Sequence, residues 1–244
     1  MRTRLVPLLV SVLAAAAPLA VSATPAHAAC SAPTVVLTEV DPNPVVVGTV
    51  KVKQFGVYVA VRTNGCTLGR VRAVVTSPTG GSGTIDLERY SSKDGVSSYA
   101  GGLEVAPEEL VDDDAGSWSA KVTVASSGST VTKSTSLRVL RAARLTLNAT
   151  PEPVAKGRTI TVTGTLTRAS WDSLKYGGYT KRDVRLQFKP AGGAYSTVKT
   201  IPSASAGALR TTVTASKDGC FRLVFGGSAT TSKVTSTSDC VDVR

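Results

Sequence analysis

The chain has 244 residues, 28 Lys and Arg against 17 Asp and Glu, a net charge of +11 at pH 7, and a single histidine. That histidine, His27, lies in a segment with the pattern of a cleaved export signal, so the mature chain is expected to contain none. Mechanisms that use a histidine base or a histidine metal ligand are thereby excluded. From Ala29 onward there are 30 Val and 29 Thr but only 14 Leu and 3 Ile, which predicts an all-β fold.

Residues 1–28 are predicted to be a signal peptide. Arg2 and Arg4 form its basic start, Leu5–Ala23 is an apolar run, and Ala26-His27-Ala28 is a small-residue cleavage site. No later stretch approaches the ~20 apolar residues that a membrane helix needs, so no transmembrane segment is expected in the mature chain. The sequence therefore predicts a secreted protein, extracellular or associated with the cell envelope.

Four cysteines follow the signal, an even number suited to disulfides in an oxidising compartment. In an antiparallel hairpin the residue numbers of each facing pair add up to the same total, and half of that total marks the turn. If Cys220 faces Cys240, the turn falls in a polar run around Thr230. If Cys30 faces Cys66, it falls at Gly48. The disulfides Cys30–Cys66 and Cys220–Cys240 are therefore predicted. A metal or cofactor site is not, because there is neither a C-x-x-C motif nor a histidine.

Two motifs occur twice. Pro42–Gly48 and Pro151–Gly157 share the pattern P-x-P-V-x-x-G at a distance of about half the mature length. Asp114–Trp118 and Asp218–Phe221 each join an acidic-glycine turn to an aromatic residue at the start of a strand, as in the corner before strand F of an immunoglobulin-like sandwich. The sequence predicts two tandem immunoglobulin-like β-sandwich domains, at residues 29–141 and 142–244. Their linker, Arg138–Arg144, lacks Gly, Pro and Ser and is expected to be short and stiff.

Alternating apolar and polar residues predict the strands of both domains. In the second domain they are Arg144–Ala149, Thr159–Thr167, Asp183–Lys189, Tyr195–Ile201, Leu209–Ala215, Cys220–Phe225 and Val234–Val243. In the first they include Val35–Val40, Val50–Val61, Val71–Thr76, Trp118–Val124 and Thr132–Leu140. Because successive side chains of a strand point to opposite faces, eight residues of the second domain are predicted to point inward. They are Val184, Leu186, Phe188, Phe221, Leu223, Phe225, Val241 and Val243.

Three stretches resemble a known protein family. Arg141–Trp171 and Asp183–Ile201 (DVRLQFKPAGGAYSTVKTI) resemble the second half of secreted tandem-sandwich proteins of actinobacteria, and Asp113–Val124 (DDAGSWSAKVTV) resembles their first half. The resemblance implies the tandem fold and export. Because that family has no established activity, the resemblance assigns no functional residues. Cys220 and Cys240 stand where the family has aromatic residues, which fits a disulfide between them.

Catalytic patterns are sparse. A glycosidase needs paired carboxylates, but the second domain has only six acids, spread singly along the chain. Ser196 and Lys199 match S-x-x-K, yet residues three apart in a strand point to opposite faces and should not meet. The sequence therefore predicts a protein that is not an enzyme and needs no cofactor.

Asp112-Asp113-Asp114 is the densest acidic cluster, with Glu108 and Glu109 nearby. It could ligate calcium, which prefers carboxylate oxygens. The alternative is a solvated loop in which Asp114 accepts hydrogen bonds from the amides of its own turn. The absence of a D-x-D-x-D-G pattern favours the loop.

Charge differs sharply between the two predicted domains. The first has 11 basic and 11 acidic residues, and the second has 15 basic and six acidic, a net charge of +9. This asymmetry favours an anionic partner for the second domain. The alternative is an ordinary solvated basic surface. Strand parity places Arg185, Lys189 and Arg222 on one outer sheet face, and that face is the first candidate binding surface.

The second candidate is the long loop Ala169–Arg182, which carries Trp171, Lys175, Tyr176, Tyr179, Lys181 and Arg182. If exposed, its aromatic rings would stack on carbohydrate while its cations hold an anionic polymer and extend the face of Arg185 into a six-cation surface. The alternative is that Trp171 and one tyrosine close the end of the core.

The function predicted from these features is a secreted non-catalytic binding module whose second domain contacts anionic cell-envelope polymers. Carbohydrate or a protein is also a candidate partner, whereas specific nucleic-acid binding is not expected. The alternatives are a structural or adhesive spacer, and an accessory or inhibitor module that acts on a protein.

Overall fold

The computed structural model describes residues 30–244, so the predicted signal peptide lies outside the described residues. Ser31–Arg244 form one compact unit. Apart from single-turn 3-10 segments at Pro107–Glu109, Asp112–Asp114 and Ser205–Gly207, all of its regular structure is β-strand. No helix in this part of the chain is long and apolar enough to cross a membrane.

The first sandwich has nine strands: β1 (Thr34–Asp41), β2 (Val45–Val47), β3 (Lys53–Arg62), β4 (Leu68–Thr76), β5 (Ser82–Asp86), β6 (Glu88–Lys93), β7 (Val96–Val105), β8 (Gly116–Ser126) and β9 (Ser129–Arg141). They form one sheet in the order β1-β3-β7-β6 and a facing sheet in the order β2-β9-β8-β4-β5. Every second residue of β3 and β8 is buried, including Val57, Val59, Ala120 and Val122. This alternation buries one face of each sheet in a common core.

The second sandwich has ten shorter strands: β10 (Ala143–Leu145), β11 (Asn148–Thr150), β12 (Thr159–Ser170), β13 (Lys175–Gly178), β14 (Asp183–Pro190), β15 (Ser196–Pro202), β16 (Ala208–Thr214), β17 (Gly219–Phe225), β18 (Val234–Thr235) and β19 (Asp239–Val241). One sheet is built around β12, which pairs with β10, β11, β13 and β16. The other has the order β15-β14-β17, with β18 and β19 on the far side of β17. The predicted all-β fold of two sandwiches is confirmed.

Both sequence repeats occupy equivalent places in the two sandwiches. Val45 of the first P-x-P-V-x-x-G copy pairs in parallel with Val139 of the last strand, and Val154 of the second copy bridges in parallel to Val243. The acidic-glycine turns precede β8 and β17, which are central strands of their sheets. The inward residues predicted for β14 and β17 are buried or partly buried in the second core, again as predicted.

Some strand predictions were incomplete. The predicted strand Arg144–Ala149 is interrupted at Thr146 and Leu147 to give β10 and β11, which pair with β12 in the same register. The Thr146 carbonyl passes close to Gly164, where an added Cβ would lie only 2.3 Å from its oxygen. The hairpin of β6 and β7 was missed because β6 is exposed throughout and β7 contains adjacent glycines, which are poor strand formers. Its signal was the turn Asp94-Gly95, where both residues have positive φ.

All four cysteines are disulfide-bonded. Cys220 and Cys240 are bonded to each other, directly opposite one another on β17 and β19, as predicted. Cys30 and Cys66 are both disulfide-bonded as well.

The parity argument that separated Ser196 from Lys199 is wrong. A bulge in β15 pairs Ser196 with Phe188 and Lys199 with Leu186, two residues on the same face of β14. The extra residue is Val198, and an inserted residue reverses parity beyond it. No hydrogen bond joins Ser196 and Lys199 within residues 30–244.

Candidate functional site

The two sandwiches are joined with a single residue, Ala142, between β9 and β10. The amide of Ala142 donates to the Val47 carbonyl at 2.8 Å. Arg141 bonds through its amide to the Thr230 carbonyl at 3.1 Å and through its carbonyl to the Ser232 amide at 3.0 Å. Where the chain crosses, its backbone is therefore hydrogen-bonded to both sandwiches.

Trp171 crosses this junction. It belongs to the turn between β12 and β13, but its side chain is 2% exposed and packs in the core of the first sandwich. Its indole Nε1 donates to the Gly48 carbonyl at 3.1 Å, and its backbone amide donates to Asp112 Oδ1 at 2.7 Å. Trp171 is therefore not an exposed stacking residue, and the alternative of a buried Trp171 is the one observed, although its ring packs in the core of the neighbouring sandwich and not at the end of its own.

A buried ion pair lies beside Trp171. Arg141 is 5% exposed, and its guanidinium lies 2.8 Å from Asp112 Oδ2 and donates through Nε to the Ala169 carbonyl at 2.6 Å. Asp112 Oδ2 also accepts from the Ser170 hydroxyl at 3.1 Å. Burial lowers the pKa of Arg141 from its usual value, which the neighbouring Asp112 partly offsets. Sequence reasoning missed this contact, since it joins residues from three separate strands or turns.

The acidic cluster serves packing in this structure. Within residues 30–244 no three His, Cys, Asp or Glu side chains are grouped as metal ligands. Asp114 accepts hydrogen bonds from the Thr79 hydroxyl and, at 3.0 Å, from the Val111 amide. The predicted hydrogen bond between Asp114 and an amide of its own turn is present, but the prediction of a solvated loop is wrong for Asp114, which is 6% exposed.

Asp114 should make the protein acid-sensitive. Burial alone would raise the pKa of its carboxyl, but hydrogen bonds from Thr79, Val111 and Ser77 together lower it below the ordinary 3.8. A lowered pKa gives stability that is complete above the ordinary value and is lost as pH falls through the lowered one. We expect the difference in free energy of unfolding between wild type and Asp114→Asn to become smaller below about pH 4. Urea unfolding midpoints of both proteins, measured as a function of pH, test this. The control variant Asp113→Asn should keep the pH dependence of wild type. A difference between wild type and Asp114→Asn that stays constant with pH would contradict this role of Asp114.

The remaining residues of the predicted binding loop lie in different surroundings. The loop is a hairpin in which β13 pairs with β12, on the sheet opposite β14 and β17. Tyr179 is 4% exposed and packs edge-on against Phe225, with Arg168 and Arg182 over its ring at 4.3 and 4.5 Å. Tyr179 is therefore a core residue and not an exposed platform.

Tyr176 is half-buried, and the guanidinium of Arg144 lies 3.6 Å from its ring centre. Its hydroxyl lies against Gly48 of the first sandwich. Lys175 and Lys181 are exposed. The predicted six-cation surface is wrong for Lys175, because β13 pairs into the sheet opposite β14 and β17.

The predicted sheet face is formed as parity indicated. β14 and β17 are neighbours, with Gln187 opposite Arg222 and Lys189 opposite Cys220. Arg185 is exposed, while Lys189 and Arg222 are half-buried. We call Arg185, Lys189 and Arg222 the basic row. Sequence reasoning missed Tyr195, whose ring lies 3.8 Å from the Arg222 guanidinium carbon and 5.5 Å from Lys189 Nζ.

The positive charge of the second sandwich is not neutralised internally. Among the described residues, Arg244 with Asp242 is the sole ion pair made by any cation of residues 142–244. In the first sandwich Arg70, Arg72 and Arg141 form ion pairs. The cations of the basic row form no ion pair in the described part of the chain.

The first sandwich carries a groove of opposite character. It has a volume of about 620 Å³ on the outer face of β3 and β7, with Tyr58 and small residues in its floor. Asp41 and Glu104 line it, and Gln54 donates to Glu104 at 2.5 Å. Its carboxylates repel an anionic polymer.

The topology defines the class of protein: a tandem immunoglobulin-like β-sandwich protein, with a central F-type strand in each domain. No known family model matches the sequence, and no curated protein matches it.

Solved structures with similar architecture include three of distinct origin. A two-domain fibronectin type-III segment of chicken tenascin is 12% identical, with 84% of this chain and 96% of that chain covered and a TM-score of 0.38. A DUF4785 family protein from Legionella pneumophila is 15% identical, with 81% and 56% covered and a TM-score of 0.41. The ectodomain of mouse nectin-like molecule 4 is 12% identical, with 88% and 64% covered and a TM-score of 0.29. This chain thus spans about half of the Legionella protein's length.

Proposed function

We propose that the protein is a secreted, non-catalytic binding module whose second sandwich holds an anionic polymer of the cell envelope through the basic row. The observation that carries this proposal is the set of unpaired cations on a sheet face whose positive charge is not offset within the sandwich.

The proposal is tested by retention on an immobilised anionic polymer at low salt and at about 0.15 M salt, where exposed charges are screened beyond about 8 Å. The variant Arg185→Ser/Lys189→Ser/Arg222→Ser should be retained about tenfold more weakly, since three charge contacts with the polymer at the protein surface contribute about 0.5 kcal/mol each. Its thermal midpoint should stay close to that of wild type.

The matched control is Lys156→Ser/Arg210→Ser/Lys233→Ser, which removes three exposed cations from other surfaces and changes the net charge equally. It should be retained nearly as well as wild type. Equal loss in both triple variants would mean that only net charge matters, and unchanged retention in the basic-row variant would refute the binding face.

A rigid spacer is the second candidate function, and the buried junction at Arg141 and Trp171 favours it. A spacer needs its two domains at a constant angle and does not need the basic row. Wild-type behaviour of the basic-row variant on anionic polymer would therefore favour this candidate.

A further inference from the structure

The groove on the outer face of the first sandwich has a floor of small residues on two central strands. Gly56 of β3 is opposite Gly102 of β7, and in the next outward row Tyr58 is opposite Ala100. Glycine is a poor strand former, and inside a strand it often marks a place where a ligand or another chain approaches closely. We call this feature the acidic groove; it is lined by Asp41, Gly56, Tyr58, Gly102 and Glu104, among others.

The packing of the sandwich does not require glycine at position 102. Its φ is not in the left-handed region, and an added Cβ would make only an ordinary 3.4 Å contact with a backbone carbonyl oxygen of β3. Gly101 differs, because a Cβ there would lie 2.6 Å from Ile85 Cγ2 in the core. Gly56 lets the phenol end of Tyr58 lie on the strand. Gly102 therefore keeps open a space beside Tyr58 that the fold itself does not use.

Four carboxylates surround this floor. Glu39 and Asp41 of β1 are directly opposite floor residues of β3, and directly opposite residues share a face. Glu88 of β6 is likewise opposite a floor residue of β7, and Glu104 is on β7 itself. In the described part of the chain none of the four forms an ion pair. The groove therefore attracts cations.

The negative charge is concentrated at one end of this sheet face. Register also places two cations on the face, Arg62 and Lys93, both opposite Val96. Arg62 is four residues from Tyr58 along β3, about 13 Å. At that distance neither cation occupies the space among the four carboxylates.

The length of the acidic groove suits a short extended chain. It follows β3 from Gln54 to Tyr58 and β7 from Ala100 to Glu104, about 13 Å, which an extended peptide covers with about four residues. Every second side chain of such a peptide faces the same way at intervals of about 7 Å, the same spacing as the outward rows of the sheet. Because both strands are already paired on each side, the peptide would bind through side chains and not as an added strand.

We propose that the acidic groove docks an extended segment of a protein partner that carries arginine or lysine at alternate positions. The cationic side chains meet successive carboxylates of the groove, and the backbone of the segment lies over Gly102. This inference concerns the first sandwich and does not depend on polymer binding by the basic row. The two sandwiches then bind partners of opposite charge.

The test measures fluorescence anisotropy of a five-residue peptide of glycine with arginine at its second and fourth positions, blocked at both ends and labelled with an uncharged dye. Salt at about 0.15 M screens the distant charge of the second sandwich. Gly102→Val fills the floor with a good strand former, so binding should weaken at least tenfold while the thermal midpoint is kept. Ser119→Val is the matched control, an exposed position on a central strand of the facing sheet, and should bind like wild type.

Removal of charge is a second test, which does not depend on how Gly102→Val folds. Glu39→Gln/Asp41→Asn/Glu104→Gln keeps the shapes of the side chains and removes three of the four carboxylate charges. We expect it to bind the peptide about tenfold more weakly, because the attraction between the groove and the peptide is electrostatic.

The matched control for charge is Asp94→Asn/Glu108→Gln/Asp113→Asn, which removes three exposed carboxylates elsewhere on the first sandwich. It should bind the peptide nearly as well as wild type. Equal weakening by the two triple variants, or wild-type affinity in folded Gly102→Val, would overturn the inference.

Two other occupants of the groove are distinguished by the same measurements. Binding of 1,4-diaminobutane, which has the charge of the peptide without its backbone, as tightly as the peptide would overturn the inference in favour of a small amine. Self-association of wild type that Gly102→Val abolishes would overturn it in favour of a second copy of this chain. The function proposed above fails separately, if the triple basic-row variant is retained like wild type.

Discussion

Replacing Trp171 with Ala should lower the free energy of unfolding by about 3–5 kcal/mol, the usual cost of removing a buried Trp side chain. The indole is 2% exposed, so little of the cavity can be filled by solvent or by relaxation. The substitution also removes the hydrogen bond from Nε1 to the Gly48 carbonyl. Because Trp171 is contributed by the second sandwich to the core of the first, unfolding should also become less cooperative.

Equilibrium denaturation with a fluorescence and a circular-dichroism probe measures both effects. The matched control is Leu174→Ala, three residues along the same hairpin, where the side chain is exposed and the change should be under about 0.5 kcal/mol. A loss below about 1 kcal/mol in Trp171→Ala, with coincident transitions, would show that the tryptophan does not couple the sandwiches.

Replacing Asp112 with Ala should destabilise the protein by about 3 kcal/mol, at the low end for breaking a buried ion pair because Asp112 is only partly buried. Arg141 would remain almost fully buried without its ion-pair partner, and the Trp171 amide and the Ser170 hydroxyl would lose their acceptor. The bond of Arg141 to the Ala169 carbonyl supplies a neutral acceptor only. The second substitution Arg141→Met should recover much of the loss, since it removes the unpaired charge and keeps an apolar stem.

The comparison is Asp86→Ala, which breaks the exposed pair between Arg70 and Asp86. Exposed pairs are screened by water and salt, so its urea midpoint should stay near that of wild type. If Asp86→Ala and Asp112→Ala shift the midpoint equally, burial does not distinguish the two pairs. If Arg141→Met fails to recover stability in the Asp112→Ala background, the buried charge is not the cause of the loss.

Much of the fold could be predicted from the alternation of apolar and polar residues along the strands. The parity of Val184, Leu186 and Phe188 was enough to orient β14, and that of Phe221, Leu223 and Phe225 oriented β17, because one face of each strand is buried. The basic row followed from the same parity.

Parity failed where the chain departs from regular pairing. The bulge at Val198 reversed the faces of Ser196 and Lys199, and such an insertion leaves no periodic signal in the sequence.

The junction could not be predicted, because composition does not say which core an aromatic residue enters. Trp171 lies in a turn rich in charged and polar residues, a pattern typical of an exposed loop. Its position depends on the distant Asp112 and Gly48. Tyr195 was likewise assigned to a strand, and its place beneath Arg222 depends on the pairing of three strands.

The most direct test of the binding face is chemical-shift mapping of the ¹⁵N-labelled protein during titration with short poly(glycerol phosphate) at low salt. The account predicts that the largest shifts fall on Arg185, Gln187, Lys189 and Arg222, including the Arg222 side chain, and that they decline as salt is raised. Shifts spread evenly over the exposed cations, or concentrated elsewhere on the molecule, would contradict it.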